Sequence, residues 1–214
     1  MEGPVPFRSR RAGRALGGLT GAMADFSAEE LLELFQRAQA HFTDRVDAVA
    51  PDQWEVPSLP GWTVADLVAH LVTEQLWVPP LMAGEPYLEG RSPEETSDLL
   101  GNDPFVGWES AADDALSAFA EDEGLVRTVH LSRGPTPASE YILEMAADLT
   151  VHAWDLAQAT EGDTELDGEL VTAGLVYAER LPADGIPGTI DPPLDVSETA
   201  PPQVRLLARF GRKG

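Results

Sequence analysis

The sequence predicts an all-α protein built on a four-helix bundle, with a short β element and a small C-terminal helical extension. Four long stretches carry apolar residues at three-to-four spacing, and only one short run has strand character. The 214 residues, 43% of them apolar, are enough for one or two ordinary domains. Each helix has one apolar stripe, and packing four stripes together buries them most simply.

The first two helices are marked by capping residues and prolines. Residues 27–30 read Ser-Ala-Glu-Glu, a capping box, and apolar residues recur after it until Pro51. Thr63 can cap a second helix, which we expect Pro79 and Pro80 to end. Residues 79–103 are rich in proline, glycine and acids, so they predict a long excursion of the kind that often covers a site.

The third and fourth helices have equally clear starts. Asp103 and Pro104 supply an N-cap and a first-turn proline, and a helical apolar period follows them. The fourth helix is predicted to begin near Thr136-Pro137 and to run to about Thr160, with Gly162 beyond its end.

The remaining segments are short. Residues 125–131 are rich in β-branched side chains and predict one strand, and residues 132–137 predict a turn after it. A fifth helix is predicted over residues 167–181, and a terminal helix over residues 202–210 follows the proline-rich stretch 182–203.

These elements divide the chain into three parts. Residues 23–162 are expected to form the bundle, and residues 163–214 to pack on it. Residues 1–22 contain four arginines and have neither a helical nor a strand period. Three interpretations of this segment remain open: a disordered or over-long extension with Met23 as the alternative start, a poor export signal, or a basic interaction arm.

Composition excludes several classes of function. With 37 acidic and 14 basic residues, the formal charge is −23, which argues against nucleic acid or an anionic membrane as the main partner. The chain has no cysteine, so disulfides, thiolate nucleophiles and cysteine-ligated metals are excluded. No apolar run is long enough to span a bilayer, and we expect a cytoplasmic protein.

Histidine spacing identifies a candidate metal site. His152 lies four residues after Asp148 and eight after Glu144, so all three project from one side of the fourth helix. His70 lies on the core-facing margin of the second helix, where a bundle can bring it opposite His152. His70, Asp148 and His152 would then form a divalent-metal site with an open position for water or substrate.

A non-metal interpretation stays open at this point. Histidine and acid at this spacing recur by chance, as His70 and Glu74 also show, and a core histidine bonded to a carboxylate would have the same pattern. Against it, a buried Asp148 needs a positive partner, and the fourth helix has no Lys or Arg on that face. Asp155 is either a partner of the His152 ring or an exposed charge.

The other histidines and the tryptophans give weaker signals. His41, flanked by arginines, is predicted to be a solvated surface residue, and the facing of His130 is open. The five tryptophans could line a pocket, although core packing is the commoner role. The sequence contains no nucleophile elbow, glycine-rich phosphate loop or dinucleotide fingerprint.

Three motifs carry a family resemblance. Residues 57–71 (PSLPGWTVADLVAHL) and 148–157 (DLTVHAWDLA) resemble the two signatures of the mycothiol-dependent maleylpyruvate isomerase family, a branch of the DinB-like metal-binding four-helix bundles. Residues 203–212 (QVRLLARFGR) are similar to the ending of its single-domain subgroup, whose members are mostly described only as metal-binding proteins. The resemblance therefore implies a DinB-like bundle.

The resemblance also implies a ligand set and a chemistry. The positions that hold metal in the family match His70, Asp148 and His152, with zinc as the expected ion and nickel as an alternative. Relatives use mycothiol, so we expect a thiol-dependent transferase-like or isomerase-like enzyme acting on an electrophile. The isomerase has glutamate at the position of Asp148 and a further C-terminal domain, so maleylpyruvate is not the expected substrate.

Two other functions compete with this hypothesis. The same ligands could activate water in a metal-dependent hydrolase, with Glu144 as base. Alternatively, the protein could be a non-catalytic, metal-binding stress-response module. The expected partners are a small-molecule thiol and an electrophile, without nucleic acid or membrane, and the chain is expected to be a monomer or a homodimer.

Overall fold

Four long helices form the centre of the molecule. The computed structural model describes residues 26–85, 100–186 and 190–214. The predicted all-α fold with a small β element is confirmed. The four helices are α1 (Ala28–Asp47), α2 (Val64–Met82), α3 (Pro104–Phe119) and α4 (Ala138–Ala159).

The helices pack as a four-membered bundle. α1 lies mainly against α4, and α2 lies mainly against α3. Further contacts of α1 with α3 and of α2 with α4 complete the bundle. α2 and α4, which carry the candidate ligands, are therefore neighbours, as the sequence analysis requires.

Local capping explains where the helices begin. Ser27 accepts a hydrogen bond from the Glu30 N–H at 3.2 Å, and the Glu30 carboxylate accepts from the Ser27 N–H, so the predicted capping box is confirmed. Thr63 forms a second capping box at the start of α2. Asp103 caps α3 by accepting from the N–H groups of residues 105 and 106.

The C-terminal end of α2 differs from the prediction. Pro79 and Pro80 lie inside the helix, which ends at Met82. Proline removes a helical donor, but its fixed φ is compatible with a helix, and here only the last turn is affected. Burial of Leu81 and Met82, which are 2% and 4% exposed, favours continuation of the helix. The predicted start of the excursion at residue 79 is therefore too early, because the helix continues to Met82. Residues 86–99 of the predicted excursion lie outside the described part.

The β element is a hairpin. The strand predicted within residues 125–131 is confirmed, whereas residues 132–137, predicted as a turn, also contain a second strand. β1 (Thr128–Leu131) pairs antiparallel with β2 (Gly134–Pro137), and residues 124–126 form a short 3-10 turn before β1. Two prolines fit in β2 because they alternate with Gly134 and Thr136. The missing N–H groups then point to one side of the strand, away from β1.

Two shorter helices follow the bundle. α5 (Gly168–Ala178) packs on α4, and α6 (Pro202–Arg209) packs on α5. α6 ends two residues before Gly211, close to the predicted end. Residues 1–22, for which three interpretations are open, lie outside the described residues.

Aromatic side chains fill the centre of the bundle. Trp108 is fully buried, its ring lies 4.6 Å from that of Phe42, and its Nε1–H donates to Thr43 at 2.8 Å. Phe35 and Phe119 form a second edge-to-face pair at 5.2 Å.

Within the described ranges, none of the helices has the length and apolar run that crossing a bilayer requires.

Candidate metal centre

The three predicted ligands meet between α2 and α4. His152 Nε2 lies 3.4 Å from Asp148 Oδ1, one helical turn earlier on α4. The His70 ring, on α2, lies 5.5 Å from the His152 ring, at an angle of 80°. One candidate ligand atom from each residue can be chosen so that all three lie within 4.8 Å of one another. The geometry supports the predicted grouping, while metal binding by these residues stays a prediction.

Trp62 flanks the site on the α2 side. It belongs to the turn that precedes the Thr63 cap, and its ring lies 5.1 Å from the His70 ring. Its side chain is 36% exposed, in contrast to the fully buried Trp108. Trp62 borders the candidate site, while Trp108 fills the core.

A buried carboxylate fixes the His152 ring. Asp155 is only 2% exposed, and its Oδ2 lies 2.9 Å from His152 Nδ1. Because the pKa of Asp155 is lowered, against its burial, by hydrogen bonds from His152 and Arg212, its carboxylate is ionised and Nδ1 must donate. Asp155 is thus a partner of the ring, one of the two roles open in the sequence analysis.

Two oppositely charged groups of α4 stabilise each other. Burial lowers the pKa of His152, but Asp148 and Asp155 outweigh it and raise that pKa to about 9. Burial likewise opposes ionisation of Asp148, yet the adjacent His152 keeps its pKa below the usual range. Without an ion, the two residues are therefore an imidazolium and a carboxylate at neutral pH.

His70 has the opposite tendency. Burial lowers its pKa, and the nearby Asp148 only partly opposes this effect. His70 is therefore neutral at physiological pH, with a ring nitrogen that is free of a proton. A neutral imidazole is the form in which histidine ligates metals.

Two further acids surround the ligands. Glu74 follows His70 by one helical turn, and burial together with Asp148 and Glu144 raises its pKa to about 7. Glu144 precedes Asp148 by one turn and accepts from both terminal nitrogens of Arg133, the hydrogen bond from Nη1 measuring 2.8 Å. Burial nonetheless raises the pKa of Glu144. The surroundings of the ligands are therefore rich in acidic groups.

The donor set fits a divalent ion. Two ligand atoms bound tetrahedrally at about 2.1 Å lie about 3.4 Å apart, which matches the separation of His152 from Asp148. The hydrogen bond from Nδ1 to Asp155 directs the Nε2 lone pair into the site once its proton has left. Three protein ligands of this kind leave an open position for a small ligand.

The other two histidines do not join the centre. His130 is exposed in β1. His41 is partly buried and burial lowers its pKa, so the prediction of a solvated surface residue is wrong. Its Nε2 is fully buried, and no hydrogen-bond partner reaches that atom within the described part of the chain.

Sequence reasoning missed the cations of the site. It found no Lys or Arg on the Asp148 face of the fourth helix, but the structure brings Arg133 from the β hairpin and Arg212 from the C-terminal tail. Neither arginine shares a periodic pattern with α4. The third motif, residues 203–212, contains Arg212 and is its only signal in the sequence.

Comparisons with known proteins agree with this arrangement. Residues 55–157, which include all three candidate ligands, match the family model described as mycothiol maleylpyruvate isomerase N-terminal domain. The uncharacterized proteins MT0763 and Rv0738 of Mycobacterium tuberculosis are each 32% identical over 185 residues, covering 83% of this chain and 94% of theirs.

A solved structure has the same fold. The crystal structure of the mycothiol-dependent maleylpyruvate isomerase aligns with a TM-score of 0.58 at 21% identity, over 71% of this chain and 69% of that one. A mutant of that isomerase gives the same values. The family match, the relatives and the shared fold lead to one conclusion: this chain belongs to the mycothiol maleylpyruvate isomerase N-terminal domain family.

Proposed function

We propose that this protein holds a divalent metal ion, zinc in the first place, on His70, Asp148 and His152 and uses mycothiol to transform an electrophile. The observation that carries the proposal is the convergence of the three ligand atoms within 4.8 Å, from two helices. The name of the structural relative, a mycothiol-dependent isomerase, supports the choice of thiol. Transferase-like and isomerase-like reactions both fit, and nickel is the alternative ion.

The chain itself lacks a nucleophilic thiol, since it has no cysteine. When bound, the ion would lower the pKa of a coordinated thiol, so that thiolate is present at neutral pH. His152 contributes a ring of fixed orientation, because its Nδ1–H donates a hydrogen bond to Asp155. Glu74, whose pKa is about 7, can take up a proton at its carboxylate beside the ligands and release it again.

The proposal extends to the setting of the protein. A thiol cosubstrate requires a reducing compartment, so we place the protein in the cytoplasm. We also expect the protein to be a monomer or a homodimer. Residues 23–162 would be the metal-binding unit, and residues 163–214 would support it.

The hydrolase alternative is less well supported. It assigned Glu144 as the base, but Arg133 donates to both oxygens of that carboxylate. A base must be free to accept a proton from water, and this ion pair opposes that role. The thiol-dependent reaction does not require Glu144.

The proposal is tested by following mycothiol in the presence of a panel of alkylating and aryl-halide electrophiles. We expect zinc-loaded protein to accelerate thiol consumption, and the His152→Ala variant to lose at least nine-tenths of that acceleration (about tenfold or more). His130→Ala is the matched control, since that histidine is exposed outside the site, and it should keep full activity.

Three results would contradict the proposal. Activity that survives His152→Ala would exclude the assigned centre. Bound metal without acceleration by any thiol and electrophile pair would instead support the non-catalytic stress-response module. Hydrolysis of an ester or amide in the absence of thiol would favour the hydrolase.

A further inference from the structure

The C-terminal tail reaches the metal centre from the side opposite the ligand atoms. Arg212 Nη2 donates to Asp155 Oδ2 at 2.8 Å, and Arg212 Nε donates to Asp155 Oδ1 at 3.2 Å. The same Oδ2 accepts the hydrogen bond from His152 Nδ1. A continuous chain of hydrogen bonds therefore connects a residue two positions from the end of the sequence to a candidate ligand.

The local backbone aims Arg212 at Asp155. α6 ends at Arg209, and Gly211 then adopts a φ of +78°, a left-handed conformation that reverses the chain direction. The Arg212 N–H donates to the Leu207 carbonyl at 2.8 Å, and its Nη1 donates to the Phe210 carbonyl at 2.7 Å. Leu207 is fully buried, so the segment that carries Arg212 is firmly anchored.

Asp155 depends on this partner for a fixed orientation. Its side chain is 2% exposed, and a buried carboxylate without a cation is strongly destabilised. A guanidinium that donates to both carboxylate oxygens fixes the carboxylate plane as well as its charge. A fixed Asp155 in turn limits rotation of the His152 ring and keeps Nε2 directed towards Asp148.

We infer that Arg212 is a positioning residue of the metal centre, which sets its affinity for the ion by holding Asp155 and through it His152. This inference rests on the proposed function. It assigns a role in the site to Arg212, whose side chain donates to Asp155 and to the Phe210 carbonyl. A residue of this kind changes metal affinity about 10- to 100-fold when it is removed.

The test measures the dissociation constant of Zn²⁺ by competition with a chromophoric chelator. The full chain is compared with Arg212→Ala, Arg212→Lys and Arg209→Ala. Arg209 is the matched control because it lies in the same segment and donates to the carbonyls of residues 178, 181 and 182, away from Asp155. Absorption of the Co²⁺-loaded proteins reports separately on ligand geometry.

We expect Arg212→Ala to weaken Zn²⁺ binding at least about tenfold and to alter the Co²⁺ spectrum. Arg212→Lys should restore part of the affinity, since an ammonium supplies the charge without the fork. Arg209→Ala should lower thermal stability while leaving Zn²⁺ affinity unchanged. If Arg212→Ala does not fold, Asp155→Asn tests the same chain of hydrogen bonds and should also weaken Zn²⁺ binding about tenfold.

Several results would overturn the inference. The inference is wrong if Arg212→Ala, or Asp155→Asn in its place, binds Zn²⁺ with a dissociation constant within twofold of that of the unmodified chain. An equal loss in Arg209→Ala would assign the effect to docking of the tail as a whole. A different failure, no Zn²⁺ binding by the unmodified chain, would contradict the proposed function itself.

Discussion

His70 and His152 face each other across the interface of α2 and α4, with their ring centroids 5.5 Å apart. One ring is kept neutral by burial, while the other is held as an imidazolium by Asp148 and Asp155. If the proposed centre binds an ion, the two helices would offer it one ready ligand and one that must first lose a proton. This asymmetry determines how the centre responds to pH.

Zinc binding should release a proton from His152. Because the pKa of this residue is about 9 in the ion-free protein, Nε2 carries a proton at pH 7.5 that the metal must displace. We expect about one proton released per ion, and an affinity that increases up to about tenfold per pH unit until pH 9. Calorimetric titration in two buffers of different protonation enthalpy measures both quantities. An affinity independent of pH between 7 and 9 would contradict this prediction.

Glu74→Gln should stabilise the ion-free protein at neutral pH. The pKa of Glu74 rises from 4.5 to about 7 on folding, so the folded state binds the extra proton and its stability falls between pH 4.5 and 7. Glutamine removes this loss, for a gain of about 1 to 3 kcal/mol at pH 8 and little change at pH 4.5. Urea denaturation at both pH values measures the effect, and equal gains at both would contradict the assignment.

The buried glutamines of the bundle form a coupled pair. Gln39 Nε2 donates to Gln75 Oε1 at 2.9 Å and to the Ala112 carbonyl at 2.8 Å. Gln39→Leu removes these hydrogen bonds and leaves Gln75 buried without its donor, at a cost of about 1 to 3 kcal/mol. The double variant with Gln75→Leu should recover most of this loss. Chemical denaturation of all four proteins measures the coupling, and strict additivity would contradict it.

Gly211→Ala should destabilise the protein and weaken metal binding together. At a φ of +78°, a Cβ on residue 211 would lie 2.6 Å from Asp191 Cβ, so the backbone that carries Arg212 must move. We expect a loss of about 1 to 3 kcal/mol in thermal denaturation and weaker Zn²⁺ binding. Gly84→Ala is the control, because its φ of +88° is also left-handed but no atom lies within 4 Å of an added Cβ. It should cost stability without affecting Zn²⁺.

The sequence predicts most of the bundle because the starts of its helices are defined locally. The capping box at Ser27 and the N-cap at Asp103 involve residues two or three positions apart, so a linear pattern contains all the partners. The same is true of Asp148 and His152, which lie one helical turn apart. Because the apolar stripes of the helices face one another, His70 could be placed opposite Asp148 and His152.

Features that depend on tertiary packing could not be predicted in this way. The prolines at the end of α2 signal a helix stop, and the burial of Leu81 that favours continuation is visible only in the folded protein. Arg212 and Asp155 are 57 residues apart, and no local pattern connects them. The raised pKa of Glu74 likewise comes from burial and from acids on another helix.

The most direct test of the account is elemental analysis of the protein purified without nickel affinity chromatography. The unmodified chain and the His130→Ala control should contain about one zinc ion per molecule. Folded His70→Ala, Asp148→Ala and His152→Ala variants should each lose it. An unmodified protein without any ion after zinc loading, or full stoichiometry in all three variants, would contradict the metal centre and with it the proposed function.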